Sequence, residues 1–179
     1  MFYLFLAEGF EETEALATLD VMRRARLNVQ TVGVTGVYVT GSHGVTVKPD
    51  VDLSDIIFDG LEGVVLPGGM PGTINLGSNE QVLECVRYCF ENKKITAAIC
   101  AAPSILGNLG FLAGRNATCF PGFESELKGA LCTGAHVETD EHVITSKGAG
   151  CAIEFGHAIV ALALGKADAD RVIEEMQCL

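Results

Sequence analysis

Cys100 is where this sequence concentrates its chemical potential. It follows the apolar run Ile95–Ile99 directly and stands three residues before Pro103, which suits the first turn of a helix. That places it in a tight strand-to-helix bend, where a side chain is pushed out of the sheet. The helix dipole and free backbone N–H groups at such a point favour the thiolate, the nucleophilic form of cysteine. The mechanics are those of a nucleophile elbow, although Ala rather than Gly flanks the residue. The bland alternative is a small buried hydrophobe, as free cysteine often is. Position alone leaves the two readings level.

The other six cysteines offer less. Cys85 and Cys89 share a helical face with Val82, Val86 and Phe90 at the i, i+3, i+4, i+7, i+8 spacing of a buried stripe, so core packing is the better reading. A metal site would need further ligands, and no His stands near them in sequence. Cys119 falls in an apolar run and Cys178 at the C-terminal end, while Cys132 and Cys151 lie in or beside loops. No metal site is expected.

Glu14 is the second candidate. With about 100° per residue over a helix Glu11–Arg26, Glu14 shares an arc with Glu11, Ala15, Thr18, Leu19, Val21, Met22 and Ala25, while Leu16 is an apolar exception on the other side. Glu12, Asp20, Arg23 and Arg24 fall opposite, so Glu14 is expected to point inward and Glu12 toward solvent. A carboxyl on an inward face has a raised pKa and can hydrogen-bond a thiolate or carry a proton. First-turn acids also stabilise a helix start without any chemistry, which explains Glu11 and Glu12 better than Glu14. Gly68-Gly69 closes the run Gly63–Leu66 after Pro67 and opens a helical region. Exposed N–H groups in such a turn can form an oxyanion site, and a plain turn is an equal reading. No P-loop follows, and Gly33-x-x-Gly36 lacks the rest of a dinucleotide fingerprint. The four histidines, His43, His136, His142 and His157, offer no obvious base beside Cys100, since position 101 is Ala.

These residues need a scaffold. Apolar runs alternate with helical patterns, as in parallel sheets joined by crossover helices. Strands are expected at Phe2–Ala7, Val29–Val34, Gly63–Leu66, Ile95–Ile99, Ala117–Phe120 and His142–Ser146. A hairpin is expected from Val37–Thr40 and Val45–Val47 around Gly41-Ser-His-Gly44. Helices are expected at Glu11–Arg26, Asn79–Asn92, Pro103–Leu109, Ala152–Leu164 and Ala167–Gln177. The expectation is one α/β domain over 1–179, a mostly parallel sheet with helices on both faces. Ligands bind such sheets beyond the carboxyl ends of the strands, which directs attention to the junctions Glu8–Glu14, Pro67–Gly72 and Cys100–Pro103.

Composition narrows the partners. The 179 residues carry 12 Lys+Arg against 23 Asp+Glu, a formal net charge of −11. That balance disfavours nucleic acid and anionic membrane surfaces, both of which need cationic side chains. Met1–Ala7 is apolar, but no basic region precedes it and Glu8, Glu11 and Glu12 follow at once, unlike a signal peptide. An odd set of scattered cysteines then reads as free thiols in a reducing cytoplasm.

Glu14, Gly68-Gly69 and Cys100-Ala-Ala-Pro103 together resemble the ThiJ/PfpI superfamily, in the branch of the Parkinson-disease-associated deglycase. The stretches that carry the likeness are Ala7-Glu-Gly-Phe-Glu-Glu-Thr-Glu14, Asp20-Val-Met-Arg-Arg24, Val64-Val-Leu-Pro-Gly-Gly69, Ala97-Ala-Ile-Cys-Ala-Ala-Pro103 and Thr145-Ser-Lys-Gly-Ala-Gly150. The resemblance implies a flavodoxin-like three-layer sandwich, a homodimer, and no cofactor. It implies Cys100 as the reactive thiol, Glu14 as its protonated partner, and the N–H groups of Gly69 and Ala101 as the oxyanion site, with Gly68 beside them. It implies activity on small α-oxoaldehydes or early glycation adducts, or else oxidant sensing through a cysteine sulfinate or holdase activity without turnover. Arg24 matches an arginine at the site edge, and His43 takes the place of another that lines the site across the dimer. Phe120 stands where some members carry a histidine near the thiol. Ala101 lacks the neighbouring histidine of the protease-like branch, which argues against peptidase chemistry.

Overall fold

A computed structural model describes residues 1–178. In chain order the first half forms β1 (Phe2–Leu6), α1 (Glu12–Arg24), β2 (Val29–Gly33), β3 (Val39–Thr40), β4 (Thr46–Val47), β5 (Val51–Asp52), β6 (Gly63–Leu66), α2 (Gly72–Gly77) and α3 (Glu80–Glu91). The second half forms β7 (Ile95–Ile99), α4 (Pro103–Asn108), β8 (Asn116–Ala117), β9 (Leu131–Cys132), β10 (Val137–Asp140), β11 (Val143–Ser146), α5 (Ala152–Leu164) and α6 (Lys166–Glu175). Seven strands make the central sheet in the order β10-β11-β7-β6-β1-β2-β5. Every pairing in it is parallel except β10 with β11.

The two-residue period of β1 builds two cores at once. Phe2, Leu4 and Leu6 face α1, α5 and α6, with Val21, Met22, Phe155, Ile159 and Val172. Tyr3 and Phe5 face the opposite layer, with Val82, Cys85, Val86 and Cys89 of α3 and Leu106 of α4. All five β1 side chains are buried, which is why the strand reads as a continuous apolar run rather than an alternation. Burial of Val82 or Val86 contributes about 1.5–3 kcal/mol each, and their neighbours Cys85 and Cys89 are packing residues on the same stripe.

Helix boundaries follow their caps. The Glu11 carboxylate accepts from Glu14 N–H at 2.7 Å and starts α1, while Asn79 Oδ1 accepts from Val82 N–H at 3.2 Å and starts α3. Pro103 occupies the first turn of α4. One expectation is corrected. The strand expected over Ala117–Phe120 ends at Ala117 and lies outside the main sheet, paired with β9. Beyond it, Thr118 N–H donates to Thr145 Oγ1 and Phe120 N–H to the Cys100 carbonyl, so a hydroxyl and a turn replace ladder bonds. The main sheet gains edge strands β5 and β10 instead. The expected hairpin is present as β3–β4 and folds over the start of α1. Among the described residues no helix is long and apolar enough to cross a membrane.

Candidate active site

Strands β1, β6 and β7 are neighbours, so their carboxyl ends bring the three chosen junctions together. Cys100 sits immediately after β7 with φ +66°, a left-handed conformation that is strained for a residue with a side chain. Its N–H donates to the Ser146 carbonyl at 2.8 Å and its carbonyl accepts from Phe120 N–H at 2.8 Å, which fixes the bend from both sides. The strain aims the sulfur out of the sheet, as the elbow requires. The side chain is partly exposed, whereas Cys85, Cys89, Cys119 and Cys151 are buried.

Glu14 is buried and reaches the same point from α1. Its Oε2 accepts from Gly68 N–H at 2.8 Å, and its carboxyl lies against the Cys100 thiol. Burial is the main reason its pKa is pushed up to about 7, with the nearby charge of Glu11 adding to the shift. Burial also pushes the Cys100 thiol up to about 12, followed by the charge of the Glu14 carboxylate and its hydrogen bond. The backbone N–H groups of Ala101 and Gly69 pull the other way, so both face the sulfur. The lowered thiol pKa expected from the helix start is therefore corrected. A thiol beside an ionised Glu14 holds its proton, and the pair shares protons as one unit.

Two glycines are dictated by this crowding. A Cβ on Gly68 would stand 2.7 Å from both Cys100 Cβ and Glu14 Oε2. A Cβ on Gly69 would stand 2.4 Å from Glu11 N, and its φ is +89°. The roles of the two differ, however. The Gly68 N–H is committed to Glu14, which leaves Gly69 and Ala101 as the N–H groups aimed at the sulfur.

The sequence reading of Glu12 is overturned. Glu12 is buried, because the β3–β4 hairpin covers the face that would otherwise meet water. Its Oε1 accepts from His43 N–H at 2.7 Å and Val45 N–H at 3.3 Å, and its Oε2 lies 2.9 Å from His43 Nδ1. Burial works against its charge, but the His43 ring and the backbone donors outweigh it and hold the carboxyl at about 2. His43, exposed at the hairpin tip, has its pKa raised by the bond to Glu12. Glu11, Glu12 and His43 bring three ligand-type atoms within 4.8 Å of one another. Both carboxylates there already serve backbone donors, and a helix N-terminus disfavours a cation.

Arg24 is not brought to Cys100 within this chain. It lies ten residues beyond Glu14, about 15 Å along the helix, and pairs with Asp20 at 2.7 Å. The remaining histidines are engaged elsewhere: His136 with Glu154, His157 with Asp170, and His142 against Phe90. Sequence reasoning missed the Glu12 clamp. The signal was present in the Gly41–Gly44 turn, whose hairpin needed some surface to cover.

A mostly parallel α/β sheet with helices on both faces and a cysteine elbow at its carboxyl edge defines the flavodoxin-like class. Residues 2–162 match the DJ-1/PfpI family, and the chain belongs to it. Protein DJ-1 homolog A of Arabidopsis thaliana is 36% identical over 93% of this chain, but the chain spans only 44% of that relative's length. The Parkinson disease protein 7 homolog of Danio rerio is 36% identical, with 90% of this chain and 88% of the relative covered. Deglycase PYRAB04690 of Pyrococcus abyssi is 30% identical, covering 79% and 86%. The crystal structure of Drosophila melanogaster DJ-1beta superposes with a TM-score of 0.92 at 32% identity, covering 98% of this chain and 96% of that one.

Proposed function

We propose that this protein is a cysteine-dependent, cofactor-free enzyme that converts small α-oxoaldehydes, or the early glycation adducts they form, in defence against carbonyl stress. The observation that carries the reading is the Cys100 sulfur set between the Glu14 carboxyl and the N–H groups of Gly69 and Ala101. The thiolate attacks the aldehyde carbon, forming a C–S bond, and the resulting oxyanion is held by those N–H groups. The proton taken from the thiol resides on Glu14 and passes to the oxyanion, giving a hemithioacetal. Glu14 then removes the proton from the former aldehyde carbon while the neighbouring carbonyl oxygen takes up a proton, giving an enediol. Glu14 returns its proton to the neighbouring carbon as the hydroxyl on the sulfur-bearing carbon loses its own and becomes the thioester carbonyl. The product is a thioester of a 2-hydroxy acid, which water hydrolyses to the free acid and the thiol. The aldehyde carbon is oxidised and its neighbour reduced, so no external oxidant is needed. A buried carboxyl with a pKa of about 7 is suited to both giving and taking a proton near neutrality.

The test is methylglyoxal consumption without glutathione, with lactate quantified, in the native protein and Cys100→Ser. Catalytic lactate that disappears in the variant supports the reading. Stoichiometric loss of methylglyoxal without lactate means the thiol only traps aldehydes and overturns it. A second reading, oxidant sensing through Cys100, draws on the partial exposure of this thiol beside two N–H donors. It predicts selective gain of two oxygens at Cys100 under mild peroxide. Indiscriminate oxidation of several cysteines counts against it. Assembly as a homodimer belongs to the same proposal and is checked by sedimentation.

A further inference from the structure

Two exposed apolar residues adjoin the Cys100 site along the backbone. Met70 follows Gly69 directly and is 44% exposed; Phe120 is 48% exposed. An exposed phenylalanine is ordinary on a protein surface, but this one is tied to the nucleophile itself through the bond from its N–H to the Cys100 carbonyl. Its ring rests on Gly148, where an added Cβ would stand 3.3 Å from Cδ2. Gly148 lies two residues past Ser146, whose carbonyl holds Cys100 N–H on the other side of the bend. The ring is thus fixed in place without being covered. The polar groups near the thiol are acidic: Glu14 has no Lys or Arg partner, and Glu11 and Glu12 pair only with His43 among the described residues.

We infer that Phe120 is the specificity-determining residue of this site, an aromatic wall that selects uncharged α-oxoaldehydes bearing an apolar or aryl substituent. The inference rests on the α-oxoaldehyde reading above and narrows its substrate class. The reacting dicarbonyl sits at Cys100 while the substituent lies against the Phe120 ring. Glyoxal has no substituent to place there. An anionic aldehyde acid meets the Glu14 carboxyl, which has no Lys or Arg partner among the described residues.

The experiment compares kcat/KM for phenylglyoxal, methylglyoxal, glyoxal and glyoxylate in the native protein, Phe120→Leu and Phe120→Ala, with the corresponding 2-hydroxy acid quantified. The expected native preference for phenylglyoxal over glyoxal is about tenfold or more, the scale on which apolar pockets discriminate. The ratio falls about tenfold in Phe120→Ala, chiefly through KM, and Phe120→Leu is intermediate. A ratio unchanged in Phe120→Ala, with methylglyoxal still turned over, overturns the inference and leaves the parent reading intact. A second readout needs no turnover: alkylation of Cys100 by 2-chloroacetophenone relative to iodoacetamide. If none of the aldehydes is turned over, the oxoaldehyde reading fails, and this reagent ratio decides the aromatic wall. A drop in Phe120→Ala supports it; an equal ratio refutes it.

Discussion

Glu12 and Glu14 are two residues apart on the first turn of one helix, and both are buried, yet one carboxyl sits at about 2 and the other at about 7. The difference lies in what covers each. The hairpin gives Glu12 two backbone donors and an imidazole, enough to satisfy a full negative charge. The sheet gives Glu14 one backbone donor and a thiol. Burial raises a carboxyl pKa in both places, and the supply of donors decides the outcome. The well-satisfied acid clamps a hairpin, while the poorly satisfied one keeps a proton that it can exchange.

Four substitutions test that contrast, the largest effect first. Glu14→Gln should lower turnover by about 10²–10⁴-fold, the range ascribed to a positioned proton carrier. It should also stabilise the fold. Because the folded pKa of about 7 lies above the unbound 4.5, the native protein loses stability as pH rises between those values. The variant escapes that loss. The gap in unfolding free energy should open above pH 4.5 and level off above 7 at up to about 3 kcal/mol. A gap that does not vary with pH would contradict the raised pKa.

Gly68→Ala should come next. Its Cβ would intrude on both reactive side chains, costing about 1–3 kcal/mol in denaturant titration and about 10² in turnover through misplacement. Glu12→Ala should do the reverse of Glu14→Gln, destabilising by about 1–2 kcal/mol while turnover changes only a few-fold. Here the sign inverts: the Glu12 contribution is present above pH 4.5 and is lost as pH falls toward 2. The gap between native and variant should therefore close in acid. His43→Ala should be the smallest, since its ring is exposed at the hairpin tip. Turnover should stay within experimental error, and the thermal midpoint should move by no more than about 2 °C.

Much of this is legible in the sequence. The period of α1 separates Glu14 from the solvent face, and Ile95–Ile99 followed by Cys100 and Pro103 fixes the elbow, because both depend on local geometry. What the helical wheel could not contain was the hairpin. Its two strands contribute two residues each, too short for a period to show, and only its docking buries Glu12. The thiol pKa departs from the sequence expectation for a related reason. A helix start lowers a cysteine pKa, but the burial and charge opposing it come from the sheet and from a helix some ninety residues earlier. Phe120, expected inside a strand, is instead exposed outside the main sheet, because its N–H bonds the Cys100 carbonyl in place of a ladder partner.

The central claim is that Glu14 and Cys100 share protons as one unit, and the pH dependence of Cys100 alkylation by iodoacetamide tests it most directly. In the native protein the rate should still be rising well above pH 9, because burial and the Glu14 carboxylate push the thiol up to about 12. In Glu14→Gln the charge and the hydrogen bond that hold the thiol proton are gone, and the midpoint should move down toward the ordinary thiol value. A midpoint equal in the two proteins would mean that Cys100 titrates without regard to Glu14, and the shared proton would have to be abandoned.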